Sequence, residues 1–396
     1  MPNYFSDPDL NALVRQINDD SDDRVKSSPV APARREVQED DPLRALLIEM
    51  SRLAATDLLL IPGTPPVFRV HGRLTTGQFG AIAHDDVHAL FRAFLPDLAE
   101  RLARESSVDF TIRLPAGEGI GLTRGRFRVN VHRQRGEPAA AVRALPTAVP
   151  SLAALNLPES LAELIRPTRG LVLICGPTGS GKSTTLAALL AEINRTKPSH
   201  VITIEDPVEY EHVNDRAVFE HVEIGRDAPS FSSALRASLR QNPDVILVGE
   251  MRDLDTVATS ITAAETGHMI LSTLHTGDAA QAIHRIVDVF PAHQQPQIRH
   301  QLAISLNAIV CQQLVPRSDG PGRVPVVEVL LANHAIRNHI RQGKVEHLLS
   351  EITLGKRAGM IALEESLAAL VRQGIITREE AEIRSRRPDE LRSVLG

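Results

Sequence analysis

Hydrophobic positions follow two different rhythms along the chain, and the change between them falls near residue 146. Before it the pattern is mixed. Leu43 to Leu53 has the spacing of an amphipathic helix, and short strands are predicted at Val67–Val70 and Val108–Ile112. From Arg126 to His132 apolar and polar residues alternate strictly, Gly136 follows, and a second apolar strand ends near Leu145. This predicts a small α+β domain over residues 41–146. Pro146, Pro150 and Pro158 mark a linker. Beyond it, apolar runs at Leu171–Cys175, Val201–Glu205, Val245–Val248 and Ile270–Leu274 alternate with helical patterns, which predicts a parallel sheet in an α/β core over residues 147–396. Past Val326–Leu331 the pattern turns helical, from about residue 333. Gly374 separates two helices there, and Thr377-Arg-Glu-Glu380 reads as a capping box opening the second.

Residues 1–40 carry none of this periodicity apart from Leu10, Leu13 and Ile17, which have helical spacing and could dock on a partner. An acidic run at Asp19–Asp23 and a Pro-Ala-rich run to Ala33 predict a disordered extension. Residues 1–41 hold ten acidic and five basic side chains, which accounts for the whole net charge of −5 and leaves the remainder neutral. A neutral body argues against duplex DNA as the main partner, because neutralising phosphates needs a basic surface. Aromatics at 3 % with no Trp argue against single-strand stacking platforms. Two cysteines cannot build a four-thiolate zinc site and fit a reducing compartment. With no long apolar run and no signal-like N-terminus, the sequence predicts a soluble cytoplasmic protein.

The chemistry concentrates in the second half. Gly176, Pro177, Thr178, Gly179, Ser180, Gly181, Lys182 and Ser183 match G-x-x-x-x-G-K-[ST] between a strand and a helix with Leu186, Leu189, Leu190 and Ile193 on its apolar face. Glycines let successive N–H groups turn toward phosphate oxygens, and the helix N-terminus adds partial positive charge. Lys182 would reach the β- and γ-phosphates of ATP, and Ser183 would hold Mg²⁺. The strand Val201–Ile204 ends in Glu205-Asp206-Pro207, with Glu209 beyond. Carboxylates at the C-terminal ends of parallel strands face the ligand crevice, so Glu205 is the candidate to orient or deprotonate the attacking water; the other reading is a solvated loop acid. Val245–Val248 resembles a Walker B strand, but Gly249 stands where the magnesium-side Asp usually sits, leaving Glu250 to act on Mg²⁺ through water or on the water itself. Asp244 precedes that strand and belongs at the wrong end of the sheet. His275 follows the fourth strand and His268 precedes it; a histidine here either senses the γ-phosphate or is hydrogen-bonded structure. In the first domain Arg126, Arg128, Asn130 and His132 share one strand face, with Arg135 at the hairpin and Arg143 on the next strand. These arginines read either as transition-state fingers or as a solvated basic face.

Taken together, Gly176–Thr184, Thr203–Pro207, Val248–Asp253 and Leu274–Thr276 resemble the four hallmark boxes of the secretion ATPase superfamily. These are the Walker A, the Asp box, the degenerate Walker B and the His box. Ala335-Ile-Arg-Asn-His-Ile-Arg341 is similar to the AIRN-x-IR motif of the type IV pilus retraction, or twitching-motility, ATPases. The resemblance runs from about Asp41 to Ile383. It implies a homohexameric ring built from a PAS-like N-terminal domain and a RecA-like P-loop NTPase core with a C-terminal helical segment. Such a ring sits at the cytoplasmic face of the inner membrane on a platform protein and drives pilus disassembly. Other pilus motor ATPases are further possible partners, and membrane contact comes only through partners. Carried over by resemblance, the nucleotide loop extends through Thr184, Glu205 polarises water, Glu250 supports Mg²⁺ and water, and His275 is the His-box residue. Arg128, Arg135 and Arg143 correspond to the family's first-domain arginines, some of which reach the nucleotide, with Arg135 expected to bind it. The chain departs from the family pattern at Asp57-Leu-Leu-Leu60, which lacks the usual His, at His71, at Val218–Val222, usually Asn-Gln-based, and at His339, usually Leu. Competing expectations are an accessory nucleotide-binding ring subunit, an assembly or type II secretion ATPase, and a DNA-translocating ATPase. Two cysteines weigh against the second and neutral charge against the third.

Overall fold

A computed structural model describes residues 42–70, 72–83, 86–114 and 125–396. The expectations for the extension of residues 1–40 and for His71 lie outside the described residues.

Helix α1 (Pro42–Arg52) precedes three short strands, β1 (Asp57–Leu60), β2 (Val67–Val70) and β3 (Arg73–Thr76). Two small helices, α2 (Asp86–Phe91) and α3 (Leu98–Arg104), lead to the longer β4 (Ser107–Leu114), β5 (Gly125–Gln134) and β6 (Glu137–Leu145). All six strands pair antiparallel in the order β3-β2-β1-β6-β5-β4. One face of this sheet is closed by the helices, with Leu43, Leu47, Met50, Phe91 and Leu98 packed on Leu58, Val108, Val129 and Val142. The alternation from Arg126 to His132 follows from this arrangement: apolar side chains turn to the helices and polar ones to the other face. The sequence pattern missed β1 and β3, each only four residues long.

The second sheet has seven strands: β7 (Gly170–Cys175), β8 (His200–Glu205), β9 (Val218–Glu223), β10 (Val245–Val248), β11 (Met269–Leu274), β12 (Leu306–Pro316) and β13 (Arg323–Leu331). Their order is β13-β12-β7-β11-β10-β8-β9, parallel throughout except for the antiparallel β12–β13 pair. Every residue of β7, β10 and β11 is buried, the mark of strands covered on both faces. Leu171, Leu173 and Cys175 turn to one layer, which contains α5 (Phe231–Ser238), α6 (Leu254–Thr266), α7 (Ala279–Asp288), α8 (Gln295–Ser305) and α9 (His334–Gln342). Val172 and Ile174 turn to the other, where α4 (Lys182–Thr196) packs Leu186, Leu189, Leu190 and Ile193. A fully buried leucine contributes about 1.5–3 kcal/mol, so these layers fix the sheet firmly.

Helices α10 (Leu348–Leu354), α11 (Leu363–Arg372), α12 (Arg378–Arg384) and α13 (Pro388–Leu395) complete the chain. The last three form a small cluster over Val315, Val324 and Val326 at the far ends of β12 and β13. Thr377 caps α12 by accepting from the Glu380 N–H at 3.1 Å. Glu380 does not complete the expected box: its carboxylate accepts from Arg384 at 2.9 Å instead, a charge-assisted bond within the same helix. The segment Val218–Val222, where the sequence departs from the family pattern, lies in the edge strand β9, which pairs along all of β8.

Candidate active site

Parallel pairing puts the carboxyl ends of β7, β8, β10 and β11 along one edge of the sheet. The segments carrying Lys182, Glu205, Glu250 and His275 therefore converge there, although almost a hundred residues separate the first from the last. Between β7 and α4 the loop turns at Gly176, whose φ of +146° suits glycine, and a Cβ there would lie 2.2 Å from the Gln312 carbonyl. Gln312 comes from β12, next to β7. It donates Nε2–H to the Ser180 carbonyl at 2.6 Å and accepts from the Thr185 hydroxyl at 2.8 Å. Both bonds are buried, so Gln312 clamps the loop to the first turn of α4 from behind.

Lys182 is only 8 % exposed, and its ammonium donates to the carbonyls of Gly176 at 2.9 Å and Pro177 at 3.0 Å. Burial lowers its pKa, with Glu250 and Glu209 among the groups that oppose the shift. Ser183 opens onto a small pocket shared with Glu205, Tyr210, His212, Gly249 and Thr273. The Tyr210 hydroxyl donates to Thr184 at 3.1 Å, tying the Asp-box segment to α4. Ser180 Oγ is buried without a partner, which fits a loop shaped to offer polar groups to phosphate.

Glu205 ends β8. It is partly open to the pocket but densely enclosed, and burial pushes its pKa up to about 7 against the opposing hydrogen bonds from Thr203 and the Glu209 N–H. A carboxylate poised there can take a proton near neutral pH. Gly249 lets this happen at close quarters: its N–H donates to the Ile204 carbonyl at 2.8 Å, and a Cβ would sit 3.1 Å from that same oxygen. An Asp side chain at this position would press on the Ile204 carbonyl just before Glu205. Glu250 beside it pairs with Arg252 at 2.7 Å and faces His275 Nε2 at 3.6 Å. These groups, with Ser183, could hold Mg²⁺ as that ion is commonly held, by a hydroxyl, a carboxylate through water and substrate phosphates. Asp244 lies at the opposite end of β10, accepting from the His200 N–H at 2.8 Å.

The remaining candidates lie elsewhere in the chain. His268 precedes β11, so it sits at the amino edge of the sheet, about 20 Å of strand from the nucleotide loop. Its Nδ1 is 3.2 Å from the Ala263 carbonyl, a local bond within the α6–β11 turn. Arg128 pairs with Asp109 at 3.3 Å and Arg143 with Asp57 at 2.9 Å, both within the first domain. Arg135 occupies the β5–β6 turn with φ +50°. Of the arginines on β5 and β6 named from the sequence, Arg126 is the one seen to reach the second domain: it is buried and donates to the Val208 carbonyl at 2.8 Å, beside Glu211. Gln312, Tyr210 and the partner of Arg126 were missed from sequence. The one available signal was a polar pair, Gln312-Gln313, inside an otherwise apolar run.

A family model described as "Type II/IV secretion system protein" matches residues 97–383. The chain is 41 % identical over 327 residues to the "Twitching motility protein" of Neisseria gonorrhoeae, covering 82 % of this chain and 86 % of that one. It is 41 % identical over 345 residues to the "Type IV pilus retractation ATPase PilT" of Pseudomonas aeruginosa, covering 87 % and 98 %. The solved structure of the pilus retraction motor PilT with bound ADP matches with a TM-score of 0.80 at 41 % identity, over 89 % of this chain and 99 % of that chain. The fold is α/β, a RecA-like P-loop core with a smaller N-terminal PAS-like α+β domain and a C-terminal helical segment. With the nucleotide loop, the strand-end acids and this likeness along nearly its whole length, the chain belongs to the type II/IV secretion system protein family.

Proposed function

We propose that the chain is a Mg²⁺-dependent ATPase that works as a homohexameric motor for type IV pilus retraction. The observation that carries this reading is Glu205, a carboxylate with a pKa of about 7 facing the same pocket as Ser183. A nucleotide-binding regulator has no need of a group poised to accept a proton beside the phosphate loop. The relatives named above supply the biological direction.

Lys182 turns from the Gly176 and Pro177 carbonyls to the β- and γ-phosphates, a short move for a flexible four-carbon stem. Main-chain N–H groups of Pro177–Thr184, proline excepted, cradle the phosphates. Ser183 and Glu250 would hold Mg²⁺, which would supply neutralising charge to the phosphate oxygens. Glu205 orients the attacking water and takes its proton, and His275 reads the γ-phosphate through its contact with Glu250. Arg128, Arg135 and Arg143 steady transition-state charge after domain or subunit movement. Leaving Asp109 and Asp57 costs Arg128 and Arg143 little, because exposed pairs contribute about 0–1 kcal/mol each. His268 takes no part at this edge of the sheet. The ring works in the cytoplasm against an inner-membrane platform protein, alone or with other pilus motor ATPases, without nucleic acid. Among the described residues no helix is long and apolar enough to cross a membrane, so partners supply membrane contact.

The test is a pilus count and surface-motility assay in a strain lacking the gene, complemented with wild type or with Lys182→Ala. Abundant pili without motility, rescued by wild type alone, is the expected result. A bald strain would place the protein on the assembly side and overturn the retraction reading.

A further inference from the structure

Beyond Glu205 the structure holds a chain of hydrogen bonds that no step above uses. Parallel pairing of β8 with β9 sets Thr203 directly beside His221. Thr203 and Glu205 lie two residues apart on one strand and so project from the same face. Thr203 is 1 % exposed, and its hydroxyl lies 2.8 Å from His221 Nδ1. The other ring nitrogen, Nε2, accepts the His212 N–H at 3.2 Å, so it carries no proton and the ring proton sits on Nδ1. His221 therefore donates to the Thr203 oxygen. That leaves the Thr203 hydroxyl proton free to turn toward Glu205 on the same strand face, and Thr203 is among the groups that favour the ionised Glu205 carboxylate. The direction of both His221 bonds is thus fixed from outside inward.

The surroundings hold the ring still. Phe219, two residues before His221 on β9, stacks on His212 at 4.5 Å between centroids and 15° between planes, with His221 alongside at 5.9 Å. Burial lowers the pKa of both histidines to about 4, with Arg126 and Arg113 adding to the effect on His221, so each is neutral at working pH. His212 faces His221 from the segment after β8, Arg113 and Arg126 from the first domain, and Glu205 lies beyond Thr203, its carboxylate accepting from the Glu209 N–H at 3.3 Å.

We propose that His221, acting through Thr203, is a positioning residue that fixes the orientation of the Glu205 carboxylate toward the attacking water. The proposal rests on the reading of Glu205 as the group that activates water. With Thr203 on the same face of β8 and the Glu209 N–H donating at 3.3 Å from the following turn, Glu205 lines the pocket it shares with Ser183. It is also specific to this chain's edge strand, where His221 falls within the segment that departs from the usual Asn-Gln pattern.

The test uses the full-length protein at saturating ATP and Mg²⁺, with ADP binding and thermal melting recorded for each variant. Thr203→Val removes the hydroxyl with almost no change of shape, and His221→Phe removes the ring donor. Each should lower kcat about tenfold, the effect of one well-placed hydrogen bond, with KM for ATP unchanged. Each should also move the acid limb of the kcat profile to higher pH, because Glu205 loses the Thr203 donor in the first variant and the alignment of that donor in the second, and the donor favours its charged form. Thr203→Ser and His221→Gln, which keep a donor and an acceptor in place, should recover most of the rate. Wild-type kcat and acid limb in Thr203→Val, with Glu205→Gln inactive, would overturn the relay alone. Loss of ADP binding in Thr203→Val would show a merely structural contact and overturn it too. Full turnover by Glu205→Gln would instead remove the base reading, and this inference with it.

Discussion

At the residue scale, Glu205 carries a cost in stability along with its chemistry. Its folded pKa is raised from 4.5 to about 7, so the folded chain holds this proton more tightly than the unfolded one. Its contribution to stability therefore falls as pH rises from about 4.5 to about 7. Glu205→Gln should bind ADP, fail to release phosphate, and gain on the order of 2–3 kcal/mol at pH 8, read as a higher melting temperature. His212 and His221 work in the opposite sense. Both are lowered by burial to about 4, so their contribution is complete above about 6.5 and is lost as pH falls toward about 4. Across that window the histidines and Glu205 partly cancel in the wild type. Melting curves between pH 4 and 8 should accordingly show a steeper acid loss for Glu205→Gln than for the wild type. Parallel curves would mean that Glu205 titrates normally.

At the element scale, β12 and α9 decide more than their sequences suggest. Strand β12 pairs parallel with β7 from Leu306 to Cys311, with one shift in register between Leu306 and Ala308, and this brings Gln312 behind the nucleotide loop. Gln312→Leu leaves the Ser180 carbonyl and the Thr185 hydroxyl buried without their partner, and the loop loses its brace. Titration with ADP should show affinity reduced by a factor on the order of ten, with the secondary structure intact. Unchanged affinity would show that α4 alone sets the loop. In α9 the motif Ala335–Arg341 has a structural task as well. Asn333 caps the helix by accepting the Ile336 N–H at 2.9 Å, Ile336 and Ile340 are buried, and Arg337 donates to carbonyls of Ala332, Ala303 and Ile304. Ala303 and Ile304 lie in the last turn of α8, where carbonyls lack helical partners. Arg337→Lys cannot span all three acceptors, and it should lower the melting temperature by several degrees.

At the scale of the whole molecule, three parts meet at the loops beyond the strand ends. From the first domain, Arg126 grips the Val208 carbonyl and Arg113 pairs with Glu211, three to six residues past Glu205. From the C-terminal segment, Arg386 pairs with buried Glu328 at 3.0 Å and donates to the Gly277 carbonyl, two residues past His275. Movement of either outer part is thus felt at a loop that touches the nucleotide site. Arg126→Ala should make the segment of residues 146–169 more sensitive to limited proteolysis. It should also move the acid limb of kcat upward, because the guanidinium charge favours ionised Glu205. An unmoved limb would show that the first domain does not reach the chemistry within one subunit. Light scattering on the wild type and on Arg128→Ala tests the ring: a hexamer in both, with turnover lost in the second, is expected if Arg128 serves transition-state charge and not assembly.

Local sequence determined the parts whose physics is local. The glycine spacing of residues 176–183 supplies the positive φ that the turn uses at Gly176, Gly179 and Gly181, continuous apolar runs specify strands buried on both faces, and a carboxylate at the end of such a strand emerges at the sheet edge. Tertiary structure decided everything that depends on which strands are neighbours. Gln312 reaches the nucleotide loop, and His221 reaches Thr203, only because β12 lies beside β7 and β9 beside β8 in one particular register. His268 and His275 flank one strand, and the direction of that strand alone sends one to the site and the other to the opposite edge. Arg126 and Arg128 share a strand face, yet only the first is buried against the second domain. Parallel pairing and domain docking join residues distant in the chain through packing that no short window of sequence encodes.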